Sequence, residues 1–248
     1  TGESVTVTPD EKIALVEFIS TINKGRLPLV LGIGGTNTAA VIDEMNATDF
    51  SGIDGILSVT PYYSKPTQEG IYQHFKAISE VSKKPIILYN VPGRTASNMS
   101  PETTLRLAKD FPNIIAVKEA GNNVHQYLEL LRTKPKNFLI LSGDDDLALG
   151  VALAGGSGVI SVIGQALPKE FSEMIRLGIA GKAKAAYDIH FELMPITALI
   201  FSENNPSGIK AVLEGLDICK PHVRLPLVEA TDVLKEKIKR ELKIFDKS

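Results

Sequence analysis

The sequence has a single cysteine, Cys219, in 248 residues, so no disulfide can form within the chain. With no charged-then-apolar leader ahead of the first helical signal, that scarcity points to a reducing, cytoplasmic setting. An excess of either charge is also lacking: 27 Lys and Arg stand against 29 Asp and Glu, a formal net charge of -2. A chain so balanced has no overall field to draw it to a phosphate backbone or an anionic bilayer, and neither nucleic acid nor a membrane is expected as partner. The one uncharged stretch long enough to span a bilayer, Leu147 to Pro168, is broken by Gly150, Gly155, Gly156, Gly158 and Gly164, and reads as a buried helix, a turn and a buried strand. The four histidines, His74, His125, His190 and His222, show no ligand spacing, so neither a catalytic metal nor a cofactor is expected.

What is present is ordinary globular material, 44% hydrophobic and 23% charged, enough for a sizeable core. Nearly continuous apolar runs at Leu27 to Ile33, Ile53 to Thr60, Pro85 to Val91, Ile114 to Glu119, Phe138 to Ser142 and Gly158 to Ile163 are each followed by a helical segment. Unbroken runs suit strands buried on both faces, hence an α/β fold with a parallel sheet. Thr8-Pro9-Asp10-Glu11 and Ser100-Pro101-Glu102 supply a cap, a Pro at the first helical position and acids in the first turn. Beyond Pro168 only helices are expected, at 169–181, 182–202, 207–215 and 225–242. The division is a barrel unit over 1–181 and a helical unit over 182–248. Six parallel strands fit an open doubly wound sheet or a (β/α)8 barrel short of two strands. The opening Thr1-Gly2-Glu3-Ser4, turn-like and leading straight into a helix, resembles the loop after a strand and favours the barrel.

Gly32-Ile33-Gly34-Gly35-Thr36-Asn37 fails as a dinucleotide fingerprint because the third glycine's place is taken by Asn37. The acids of Ser142-Gly143-Asp144-Asp145-Asp146 suggest a metal site, but capping of the next helix is the plainer expectation. Lys118 ends an apolar strand at the face where barrel enzymes carry their chemistry. A lysine there either snorkels to solvent or pairs with Glu119, or it is a Schiff-base nucleophile whose amine is freed by burial. Tyr89 and the pair Tyr62 and Tyr63 close two other strands, so phenols able to shuttle protons would converge with Lys118 on one rim. Arg94, in the turn after Tyr89, would place a carboxylate binder at the mouth.

Together Thr1-Gly2-Glu3-Ser4, Thr60-Pro61-Tyr62-Tyr63, Tyr89-Asn90-Val91-Pro92-Gly93-Arg94-Thr95, Val117-Lys118-Glu119-Ala120, Ser142-Gly143-Asp144-Asp145 and Gly158-Val159-Ile160-Ser161 resemble the dihydrodipicolinate synthase family, in order and spacing, over essentially the whole chain. The resemblance implies a (β/α)8 TIM barrel with a C-terminal helical domain, of which this sequence does not contain the first strand, first helix and second strand, in a homotetramer built as a dimer of dimers. It implies that Lys118 forms an imine with pyruvate, that Tyr89 assists, and that Tyr63 reaches into a neighbouring subunit's site. Thr1 would bind the pyruvate carboxylate and Arg94 the carboxylate of L-aspartate 4-semialdehyde, while the backbone of Gly143 and Ile160 lines the site. The product would be 4-hydroxy-tetrahydrodipicolinate, on the diaminopimelate route to lysine. N-acetylneuraminate lyase and keto-deoxy sugar-acid aldolases share the lysine and tyrosine and form the alternative enzyme class. Open sheet edges keep an inactive fragment or interaction module as an alternative of another kind. In lysine-regulated relatives the inhibitor binds beside the Tyr62 position. Ser4 and Tyr62 match, whereas Thr36, Ala40 and Lys12 replace an asparagine, a glutamate and a histidine, so lysine inhibition is expected to be weak or absent.

Overall fold

The computed structural model describes residues 1–245, so the last three residues of the expected helical unit lie outside the described residues. In chain order the elements are α1 (Pro9–Asn23), β1 (Val30–Gly32), α2 (Thr38–Ala47), β2 (Gly55–Val59), α3 (Gln68–Val81), β3 (Ile86–Asn90), α4 (Pro92–Thr95), α5 (Pro101–Asp110), β4 (Ile114–Glu119), α6 (Val124–Thr133), β5 (Leu139–Ser142), α7 (Ala148–Leu153), β6 (Gly158–Val159), α8 (Pro168–Ile179), α9 (Ala183–Ser202), α10 (Ser207–Gly215) and α11 (Asp232–Leu242). The six strands form one parallel sheet in sequence order, curled into a half-barrel, as a strand-and-helix alternation requires.

Local chemistry sets the helix starts. Thr8 and Glu11 form a reciprocal capping box on α1, Ser100 caps α5 and Asn123 caps α6. Asn37, the residue that spoils the dinucleotide fingerprint, caps α2 by accepting from Ala39 N and Ala40 N. The last helix begins seven residues later than expected, because Thr231 caps it through Leu234 N while the preceding segment is held by the Ser207 hydroxyl on Val228 O. The final strand is also shorter than its apolar run: after Val159 the chain leaves the ladder and turns through a single 3₁₀ turn at Ile163–Gln165.

The strands alternate faces. Ile56, Leu88, Val117 and Ile140 point outward, fully buried with Ile71, Phe75, Leu107 and Leu130 of the covering helices. Their neighbours Leu57, Val59, Tyr89, Lys118 and Leu141 point to the concave side and are only half-buried. A second core joins α7 and α8 to the three C-terminal helices through Leu149, Phe171, Met174, Ile196, Val212 and Leu234. Among the described residues no helix is long and apolar enough to cross a membrane.

Candidate active site

Lys118 is the penultimate residue of β4, opposite Tyr89 of β3 and Leu141 of β5 in the parallel ladders. Its Nζ lies 4.1 Å from the centroid of the Tyr89 ring. Glu119 points to the other face, so the plain pairing of Lys118 with Glu119 does not occur. Beside Lys118 the chain leaves β5 at Gly143, where an added Cβ would lie 2.9 Å from Lys118 Cε and 2.6 Å from the Ala120 Cβ. Any side chain at 143 would fill the space over the amine.

Burial pushes the Lys118 ammonium down from the usual lysine range to about 8, against the pull of Asp145 and Asp144 and with a further push from Arg94. At pH 7 roughly a tenth of such amines are neutral, against roughly one in 3,000 for a solvated lysine. Tyr89 moves the other way, since burial raises its phenol, and it stays protonated at neutral pH. The pair is thus a nucleophile with an available lone pair beside a phenol that holds its proton.

The structure corrects the expectation for the acidic cluster. The N-terminus of α7 has no side-chain cap. Asp145 instead accepts from Val162 N at 3.0 Å and Ile163 N at 2.9 Å, and Asp144 accepts from Asn122 N at 3.0 Å and from the Tyr127 hydroxyl at 3.1 Å. These bonds brace the loops after β4, β5 and β6 and set one buried and one half-buried carboxylate where they favour a cation on Lys118. No group of three His, Cys, Asp or Glu fit for a metal ion occurs among the described residues.

Arg94 is the third residue of the one-turn helix α4, and its Nη2 donates to Asn205 O at 3.2 Å. Asn205 Nδ2 donates to Thr1 Oγ1 at 2.9 Å. A buried asparagine between α9 and α10 thereby joins the two expected carboxylate binders. Sequence reasoning missed Asn205, and no local pattern marks it, since its partners lie 111 and 204 residues away. Thr1 is further fixed from the helical unit by its near neighbour Glu3, whose carboxylate takes Lys210 Nζ at 2.5 Å and Arg224 N at 2.9 Å. Ile160, just past the end of β6, donates from its backbone to Ser142 O at 2.9 Å. Tyr63 stands apart at 92% exposure with a left-handed φ of 65°, so Tyr89 is the phenol packed against Lys118 within the chain.

The family model described as the dihydrodipicolinate synthetase family matches residues 1–245. The chain is 55% identical over 238 residues to a 4-hydroxy-tetrahydrodipicolinate synthase of Flavobacterium psychrophilum, covering 96% of this chain and 81% of the relative. Its structure is similar to the dihydrodipicolinate synthase of Thermotoga maritima, with a TM-score of 0.95 and 37% identity over 98% of this chain and 83% of the other. It is similar also to a chloride-inhibited dihydrodipicolinate synthase of Acinetobacter baumannii solved with pyruvate, with a TM-score of 0.94 and 36% identity over 98% and 83%.

Proposed function

The chain belongs to the dihydrodipicolinate synthetase family, and from that premise we propose that it condenses pyruvate with L-aspartate 4-semialdehyde through an imine on Lys118. The observation that carries the mechanism is the buried amine of Lys118 packed on the Tyr89 ring at the C-terminal end of a parallel strand. The neutral amine attacks the C2 carbonyl of pyruvate, and the carbinolamine loses its hydroxyl as water with a proton from Tyr89. The resulting iminium is a cation, which the carboxylates of Asp144 and Asp145 favour. The Tyr89 phenolate takes a proton from the methyl carbon to give the enamine, whose carbon bonds to the aldehyde carbon of the second substrate while Tyr89 returns the proton to the aldehyde oxygen, which becomes the hydroxyl group. The amino group of that substrate then attacks C2, closes the ring and releases Lys118, giving 4-hydroxy-tetrahydrodipicolinate.

Thr1 offers its hydroxyl to the pyruvate carboxylate, and Arg94 offers a planar guanidinium to the carboxylate of the aldehyde. Arg94 also favours this reaction over cleavage of sugar acids, whose tails present hydroxyl groups to that end of the site. The half-barrel is read as the larger part of a (β/α)8 barrel, a reading supported by exposed apolar side chains on the edge strand β1, Val30, and on α1, Ile13 and Phe18. Assembly as a tetramer is supported by the exposed Tyr63 and by exposed Val124, Leu128, Phe191 and Met194 on α6 and α9. The single cysteine supports a cytoplasmic setting. Incubating the protein with pyruvate and L-aspartate 4-semialdehyde, then with keto-deoxy sugar acids, tests the assignment by mass spectrometry. Formation of the cyclic product is expected, and turnover confined to sugar acids would overturn it.

A further inference from the structure

The residue next to the nucleophile carries a buried charge that no step above uses. Glu119 has no exposed surface, and its carboxylate is met by three donors from three parts of the fold. Asn90 Nδ2, at the end of β3, donates to Oε2 at 2.9 Å and Oε1 at 3.2 Å; Gln126 Nε2, on α6, donates to Oε2 at 2.9 Å; Gly121 N donates to Oε1 at 2.8 Å. Asn98 ties the first two together, accepting from Asn90 Nδ2 at 2.8 Å and donating to Gln126 Oε1 at 3.0 Å. The approach is close: a Cβ at Gly121 would lie 2.6 Å from Glu119 Oε1. Burial pushes the Glu119 carboxyl up to about 6, partly offset by these donors, so the group is mainly ionised at neutral pH.

Asn90 and Glu119 are also partners in the β3–β4 ladder, one step beyond Tyr89 and Lys118. Because side chains alternate across a strand, the outer pair locks the same two strand ends whose inner faces carry the reacting pair. We propose that Glu119 is a positioning residue for imine formation, a buried clamp on the convex face that holds the β3 and β4 ends so that Lys118 and Tyr89 stay in register on the concave face. A carboxylate suits this place because it only accepts: each oxygen meets two donors, and a glutamine there would turn an NH2 group against two of them. The proposal rests on the imine mechanism stated above.

The test uses Glu119→Gln and Gln126→Met in the whole chain, with pyruvate and a borohydride quench at timed intervals, adducts on Lys118 counted by mass spectrometry. The rate constant of trapping is read separately from the final fraction of sites trapped, because misfolding lowers the fraction whereas loss of positioning slows the rate. At saturating pyruvate and pH 7.5, Glu119→Gln is expected to slow the rate constant about 10- to 100-fold and Gln126→Met about 3- to 10-fold, while the parent reacts at its own rate. Parental rate constants in whichever variant folds, with or without a smaller trapped fraction, would reduce Glu119 to a structural residue and overturn the proposal. A parent that forms no adduct overturns the imine mechanism itself, an outcome distinct from the first.

Discussion

Lys118 and Tyr89 face one another across the β3–β4 ladder, the amine 4.1 Å from the ring centroid. Burial that lowers the lysine also raises the phenol, so one environment makes the first a base and keeps the second an acid. It follows that kcat/KM for pyruvate rises with pH through about 8 and levels off above it, as the free enzyme's Lys118 loses its proton. A profile whose rise is centred near 10.5 would show that the lysine is not perturbed.

The same burial has a stability cost. Lys118 titrates near 8 when folded and near 10.4 when unfolded, so the folded state binds fewer protons between those values and stability rises with pH across that window. Lys118→Met removes the buried ammonium, and the variant is expected to gain about 1–3 kcal/mol at pH 7 and to lose the rise between pH 8 and 10. Denaturant melts of parent and variant at pH 7 and pH 10 check both signs; a destabilised variant at pH 7 would contradict the account.

Arg94→Ala is expected to lower kcat/KM for L-aspartate 4-semialdehyde roughly 10- to 100-fold, the worth of about 1.5 to 3 kcal/mol for a charge-assisted pair. Imine formation with pyruvate should change far less. Because Arg94 also holds Asn205 O, the Arg94→Lys variant is a useful companion, keeping the charge without the planar fork. Equal turnover of the semialdehyde by parent and Arg94→Ala would remove the residue from the site.

If Tyr63 serves a neighbouring subunit, two inactive variants should complement one another. Tyr63→Ala and Lys118→Ala, unfolded and refolded together, are expected to regain part of the parental activity in mixed oligomers, where some sites hold both residues. A mixture no more active than its components would confine Tyr63 to another role.

Lysine is expected not to inhibit at ordinary concentrations. Lys12 already directs its Nζ to Gly32 O at 2.7 Å and to the Glu44 carboxylate, so a cation of the chain itself stands beside α2, where Ala40 supplies no carboxylate. Lysine titrated into an assay at subsaturating pyruvate reads this directly, and half-inhibition below a millimolar would refute it.

Much of this site was legible in the sequence for a physical reason. Buried parallel strands are apolar almost to their ends, so a polar residue near the end of one, as Lys118 and Tyr89 are, stands out and lies on the rim where loops meet. Asp144 and Asp145 were legible only as acids before a helix, a pattern that capping produces as readily as bracing of neighbouring loops. Asn205 was invisible because its two partners come from the far end of the chain, and Glu119 because outward and inward residues of a strand look alike until the register with Asn90 and the helix carrying Gln126 are in place.

The imine mechanism requires that Lys118 become covalently joined to pyruvate. Incubation with pyruvate and borohydride, followed by peptide mass spectrometry, reads it in one measurement, since reduction fixes the imine as a stable secondary amine. One adduct per chain is expected, on Lys118, and none in Lys118→Met. An adduct on another lysine, or none in a protein that still condenses the two substrates, would contradict it.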